Sequence, residues 1–269
     1  MSLTSFLKNK DVKERFALEF PTLKFNLSGE LKAQPKTNNY ALVGTAFDYL
    51  MRFYLKRINP SATTQEWVAE CATELINDRK TSKKVKEILL NAKKSYSDYL
   101  KTGELNDELI KYCIYLAQIE SIYRAGIIDP KIGTADPLDV DDMRNLIKLI
   151  DPKEFRCKTC MLNPTFGEAS TLVGGADMDV LIDSTLIDIK TTKYLELNRD
   201  HYNQIIGYYI LSLIGGIDNA PKGTKVEFVG IYYSRHGLLF KVAINEIVKT
   251  CDAKKFITWF KKRAKQDFQ

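Results

Sequence analysis

The sequence predicts an α/β protein, a mixed central sheet flanked by helices and preceded by a mainly helical N-terminal region. Three observations carry this. Four segments between residues 39 and 126 repeat apolar residues at helical spacing; from about residue 160 the period changes to two; helical spacing returns at 198–214 and 253–266, on either side of two further strand-like runs. On this reading residues 1–155 are the helical region and residues 156–269 the sheet-bearing core, together one compact globular unit.

Taken in order, the first forty residues hold Pro21 and Pro35 and read as loops with a short helix. From Tyr40, Ala46, Leu50 and Phe53 fall on one helical stripe that Pro60 terminates. Helical patterns follow at 63–77, 83–101 and 106–126, the last two punctuated by Gly103 and Gly126. A turn-rich stretch, 127–142, leads to a short helix ending near Ile150. Beyond it the chain reads strand, turn, strand through Lys193, then a helix at 198–214. The runs KVEFVGIYYS and GLLFKVAI make two more strands around Arg235 and His236, and a basic helix follows them.

Composition narrows the function classes. Apolar residues make up 45% and charged residues 28%, with a formal charge of +6, which permits a polyanionic partner without requiring one. The apolar run at 205–217 is too short and too glycine-broken to span a bilayer, and charges interrupt the N-terminus before a signal-peptide core could form. Five scattered cysteines suggest no disulfide framework, so a reduced, cytoplasmic protein without a membrane partner is expected. Only His201 and His236 are present, which leaves a Ser-His-Asp or Cys-His hydrolase hard to assemble. Lysines concentrate near 80–95 and 254–265, as solvated helix faces or as phosphate-contacting surfaces.

The informative stretch is GGADMDVLIDSTLIDIKTTK, residues 174–193, where four aspartates and two lysines sit in otherwise apolar strands. A two-residue turn at Asp183-Ser184 pairs Val180 with Ile187 and Asp179 with Asp188. Alternation then puts Asp177, Asp179, Asp188 and Lys190 on one face, and Val180, Ile182, Ile187 and Ile189 on the other. Opposed carboxylates repel unless a proton or a hard divalent cation sits between them. With a nearby ammonium, such a pair suits metal-assisted phosphoryl chemistry. The alternative is a polar sheet face with Lys190 neutralising the acids, for which Asp188→Ala would destabilise the fold.

LIDIKTTK resembles the D-x-K signature of the PD-(D/E)XK nuclease superfamily, with Asp188 and Lys190 as its last members. The upstream acid matches Asp179, favoured by the hairpin register, or Asp177, favoured by its place in a G-x-x-D form after Gly174. Gln204 and Tyr208 fit the Q-x-x-x-Y motif of the RecB-like branch, and GTAFD at 44–48 resembles that branch's G-x-x-x-H helix motif, with Asp48 in place of histidine. The similarity covers mainly residues 40–55 and 172–212. It implies a restriction-endonuclease-like core. It also implies a Mg²⁺ or Mn²⁺ ion held by Asp179 (or Asp177), Asp188, the Ile189 carbonyl and Asp48, with Lys190 positioning the attacking water. Gln204 and Tyr208 would orient DNA or the lysine. The implied activity is that of a DNA nuclease, exonuclease in type rather than sequence-specific. A non-catalytic nuclease-fold module within a repair or defence complex is the alternative.

The remaining candidates have plainer readings. Cys157-x-x-Cys160 lacks the further ligands that zinc or an iron–sulfur cluster requires, and Cys71 and Cys113 read as core. His201 shares a helical stripe with Gln204 as a structural or DNA-contacting group. Glu120 reads as a helix-surface carboxylate in preference to an extra acidic ligand from a helix, and Gly174-Gly175, without a P-loop lysine, as a close backbone approach or bulge.

Overall fold

Capping chemistry sets many of the helix limits in the computed structural model, which describes residues 2–23, 25–249 and 251–268. The α-helices are α1 (Leu3–Phe6), α2 (Lys10–Glu19), α3 (Tyr40–Ile58), α4 (Val68–Cys71), α5 (Arg79–Thr102), α6 (Asp107–Ala125), α7 (Pro137–Ile147), α8 (Pro152–Phe155), α9 (Glu168–Leu172), α10 (Arg199–Gly215), α11 (Ile244–Ile247) and α12 (Ala253–Phe268). Asp78, Asn106, Asp136 and Asn198 cap α5, α6, α7 and α10 by accepting first-turn amides. Gly103 and Gly126 end α5 and α6 at φ of 75° and 67°, a left-handed conformation that costs glycine little.

One mixed sheet runs β1 (Thr63–Thr64), β2 (Cys160–Leu162), β3 (Val180–Ile182), β4 (Thr185–Lys190), β5 (Phe228–Tyr233), β6 (Leu238–Ala243). β1–β2 and β4–β5 are parallel and the other neighbours antiparallel. The parallel β4–β5 pair requires a crossover, and α10 supplies it, packing on both strands. The fold class is therefore α/β, as the sequence predicts.

Apolar side chains leave the sheet in two directions. Val180, Ile182, Ile187 and Tyr232 enter a core built largely from α3, α5, α6 and α7. Leu181, Leu186, Val229, Ile231 and Tyr233 enter a second core with α1, α2, α10 and α12. Helices of residues 1–155 thus cover both faces. In the second core Phe6 meets Phe260 at 5.2 Å and Phe20 meets Phe256 at 4.8 Å, both edge-to-face.

Two segments depart from their sequence reading. Residues 63–77 form a short strand, one turn of α-helix and a 3₁₀ turn rather than one helix, because Thr63 and Thr64 pair with Met161 and Leu162 on β2. β-Branched residues next to an available strand edge take that partner. The first forty residues contain two helices, since Val12, Phe16 and Phe20 recur at i+4 and are wholly buried.

The turn joining β5 to β6 is held from inside. Arg235 donates to both carboxylate oxygens of Asp142 on α7, at 2.8 and 2.9 Å, and to the Ala33 carbonyl at 3.2 Å. The Arg235 carbonyl in turn accepts from the Lys32 and Ala33 amides, and His236 Nδ1 lies 3.0 Å from the Glu30 carbonyl. Both members of the ion pair are essentially sealed from solvent, so removing one strands the other's charge. Asp142→Ala should lose about 3–5 kcal/mol of stability, read as a lowered urea midpoint. The double change Asp142→Leu with Arg235→Met should recover most of that loss. A single-variant cost below about 1 kcal/mol, the range of an exposed pair, would refute the assignment.

Candidate active site

The hairpin register is the one the sequence predicts: Val180 pairs with Ile187 and Ile182 with Thr185, around a turn in which Asp183 has φ of 49°. Asp183 also tethers the preceding turn, its Oδ1 accepting from the Lys158 and Thr159 amides at 3.1 and 2.9 Å. That tether shapes the Cys157-x-x-Cys160 turn, which leads into β2.

The expected single face for all four charges does not hold. Ala176 and Met178 lie in the second core, but Val180 and Ile182 lie in the first, so the period-two alternation breaks before β3 begins. Asp177 consequently turns towards α6, where Arg124 Nη2 donates to it at 3.1 Å. Asp188 and Lys190 face α10. Asp179 lies one residue before the β3–β4 ladder and folds its carboxylate over β4, Oδ2 accepting from the Ile189 amide at 2.6 Å.

From Asp188 a polar chain crosses to α10. Lys190 Nζ lies 2.8 Å from Asp188 Oδ2, but the approach is outside hydrogen-bond geometry, so this buried oxygen still lacks a donor. Nζ donates to Gln204 Oε1 at 3.0 Å, and Gln204 Nε2 donates to Tyr208 Oη at 3.0 Å. The i, i+4 spacing of Gln204 and Tyr208 makes that last bond possible. Tyr208 is buried and stacked on Phe166. Burial, then the charges of Asp188 and Asp179, push its phenol well above the usual range.

On the opposite side α3 brings Asp48. Arg52, one turn later, binds its Oδ2 at 2.5 Å, while Oδ1 is buried without a partner. Burial raises the Asp48 pKa, and Arg52 offsets part of that rise. Arg52 also sits 4.4 Å over the Tyr49 ring, and Tyr49 Oη donates to Glu120 Oε2 at 2.5 Å. Arg124 Nε completes the network on Glu120 Oε1 at 2.5 Å.

Glu120 is therefore not a surface carboxylate but a buried one, 4% exposed. The sequence signal was present: Leu116 and Ala117, four and three residues earlier, put Glu120 on the buried stripe of α6. Arg52 and Arg124, legible only as i, i+4 partners of acids, were missed. Cys71, expected in the core, is exposed, whereas Cys113 is buried.

Proton affinity is displaced at Asp179, Lys190 and His201. The Asp179 pKa is raised well above the ordinary carboxylate value by burial first, then by the charges of Asp188 and Asp48. For Lys190 burial opposes the charge, but attraction to Asp188 and Asp179 prevails and its pKa is raised, so it stays an ammonium at neutral pH. His201 is moved the other way, by burial and by Lys190, and stays neutral. Among the described residues no three His, Cys, Asp or Glu side chains form a ready-made metal cage. Buried Asp48 Oδ1 and Asp188 Oδ2 nonetheless lack donors, and hard divalent cations favour such oxygens.

No protein-family model, curated protein or solved structure matches the chain. Among the described residues no helix is long and apolar enough to cross a membrane.

The raised Asp179 pKa has a measurable sign. Between its unfolded value near 3.8 and its higher folded value, the folded state binds more protons than the unfolded state, so this residue's contribution lowers stability as pH rises. Asp179→Asn keeps an oxygen for the Ile189 amide and removes that penalty. Urea unfolding should find the variant more stable than wild type at pH 7, with the gap narrowing towards pH 4. Equal or lower stability at pH 7 would show that the ionised acid is not held at a cost.

Proposed function

We propose that the protein is a metal-dependent deoxyribonuclease of the PD-(D/E)XK superfamily, close to the RecB-like branch. The observation that carries this is the Lys190–Gln204–Tyr208 hydrogen-bond chain. D-x-K and Q-x-x-x-Y are separate sequence motifs on β4 and α10, and their key side chains bond directly. The helix–strand–strand–strand–helix–strand order of α3, β2, β3, β4, α10 and β5 also accords with a restriction-endonuclease-like core.

Asp179, Asp188, the Ile189 carbonyl and Asp48 are the groups that would hold Mg²⁺ or Mn²⁺. Asp177, already engaged by Arg124, is the weaker candidate for the upstream ligand. When bound, the ion supplies Lewis-acid polarisation of the phosphodiester. Lys190, kept protonated by its acidic neighbours, acts as a donor rather than a base: it orients a water and offsets charge developing on the phosphate. Gln204 fixes the ammonium, and Tyr208, neutral and stacked on Phe166, fixes Gln204. The substrate is DNA, attacked from an end, and protein partners in repair or defence would deliver it.

Lys190→Ala should lower cleavage of linear DNA in Mg²⁺ or Mn²⁺ by about 10²–10³-fold, the scale of removing one aimed donor. EDTA should abolish cleavage, and closed circles should resist it. Cutting by the variant at the wild-type rate would sink the mechanism. DNA binding without cleavage in any metal would instead identify a non-catalytic nuclease-fold module.

Tyr208→Phe tests the outer link of the chain. It removes only the oxygen that receives the Gln204 amide and should slow cleavage much less than Lys190→Ala, with little change in KM. A loss as large as that of Lys190→Ala would place the phenol on the substrate rather than behind Gln204.

A further inference from the structure

Between α4 and the end of α6 on one side, and residues 163–177 on the other, runs a cleft of about 870 Å³. Its wall reaches the acidic centre. Asn163 and Asp177 line it, and the Asn163 amide donates to the Asp179 carbonyl at 2.9 Å. Asn163 has φ of 56°, a left-handed conformation that asparagine tolerates better than most residues. Among the described residues its side-chain amide has no hydrogen-bond partner.

Arg124 is the one lysine or arginine that lines this cleft among the described residues. Its Nε and Nη2 are fixed on Glu120 and Asp177, and Nη1 has no partner among the described residues. The side chain is half exposed although the acids hold it in place. Tyr123, the preceding residue, also lines the cleft and is 51% exposed. A presented ring beside a fixed guanidinium is what a nucleotide needs: a surface for the base and a donor for the phosphate.

The cleft's volume limits the ligand. Pockets of about 300–1,000 Å³ enclose one drug-sized molecule, so this one has room for about two nucleotides. Two base pairs carry twice as many nucleotides as that, so the volume suits a single strand rather than a duplex.

We propose that this cleft takes the unpaired end of a DNA strand, with Tyr123 stacking on a base. Arg124 Nη1 and the side-chain amide of Asn163 bind a phosphate adjacent to the one presented to Asp179, Asp188 and Lys190. The inference rests on the nuclease reading above and narrows its substrate to single-stranded ends.

Binding is measured by fluorescence anisotropy on the full chain in EDTA, where nothing is cut, with labelled oligothymidylate and with a blunt-ended hairpin duplex. Tyr123→Ala should weaken oligothymidylate binding about 5- to 100-fold, the scale of losing one stacked base, while Tyr123→Phe retains it. Asn163→Gly, which suits the backbone, should weaken it about 2- to 10-fold with the thermal midpoint preserved. The blunt hairpin should bind more weakly and not respond to either change. Unchanged oligothymidylate affinity in Tyr123→Ala, an equal effect on the hairpin, or no binding of either DNA by wild type would each overturn the proposal. Cleavage of the same DNAs by wild type and Lys190→Ala separates the two readings. Loss of cutting in Lys190→Ala with Tyr123→Ala indistinguishable from wild type leaves the nuclease standing and removes the cleft.

Discussion

The structure is organised around a crowd of four acids, two buried and two half-buried, held closer together than like charges favour. Asp48, Asp179, Asp188 and Glu120 come from α3, the approach to β3, β4 and α6; burial and then the charges of Asp188 and Asp48 raise the proton affinity of Asp179, and burial, with Glu120 adding, raises that of Asp48. Three cations keep the arrangement intact. Arg52 binds Asp48, Arg124 bridges Glu120 to Asp177, and Lys190 lies against Asp188. Of the three, Arg124 alone joins two elements, tying α6 to the approach to β3; Arg52 and Lys190 each bind an acid of their own element, and α3 is linked to α6 by the Tyr49–Glu120 hydrogen bond. Losing the cation is costly where the acid it faces is almost wholly buried, as Asp188 and Glu120 are. The consequence of these pairs is geometric: carboxylate oxygens stay poised without hydrogen-bond donors.

Much of the sheet was legible because its signals are local. The turn residues Asp183-Ser184 and the alternation of Val180, Ile182, Ile187 and Ile189 sufficed to set the β3–β4 register. α5 and α6 were legible from their apolar spacing and terminal glycines. The strand at Thr63–Thr64 was not, since two residues carry no period and their pairing with β2 joins positions almost a hundred apart in the chain. Periodicity also implied one face for Asp177, Asp179 and Asp188. The break in alternation between Met178 and Val180 is a backbone event that no side-chain pattern announces.

The site divides along the same line. Asp188, Lys190, Gln204 and Tyr208 were readable because each lies on a regular element at a diagnostic interval, and the structure bonds the last three in series. Arg52, Tyr49, Glu120 and Arg124 were not, because their importance comes from helices α3 and α6 meeting side by side. A glutamate among apolar neighbours can be suspected of burial from sequence, but its partner Tyr49, 71 residues away, cannot be inferred.

The second core closes the chain on itself. Asp11 pairs with Arg263 across 252 positions, Asn9 Nδ2 donates to Asp267 at 2.8 Å, and Phe6 and Phe16 pack on Phe260 and Phe256. During synthesis α1 and α2 emerge with their phenylalanines exposed and must wait for residues 256–260 before they can bury them. α10 can cover the sheet face that carries Asp188 and Lys190 before then, but the outer layer of this core is completed only when α12 arrives. Folding of this half is governed by its longest-range contacts, and the interval before they form is when a nascent chain is most open to aggregation.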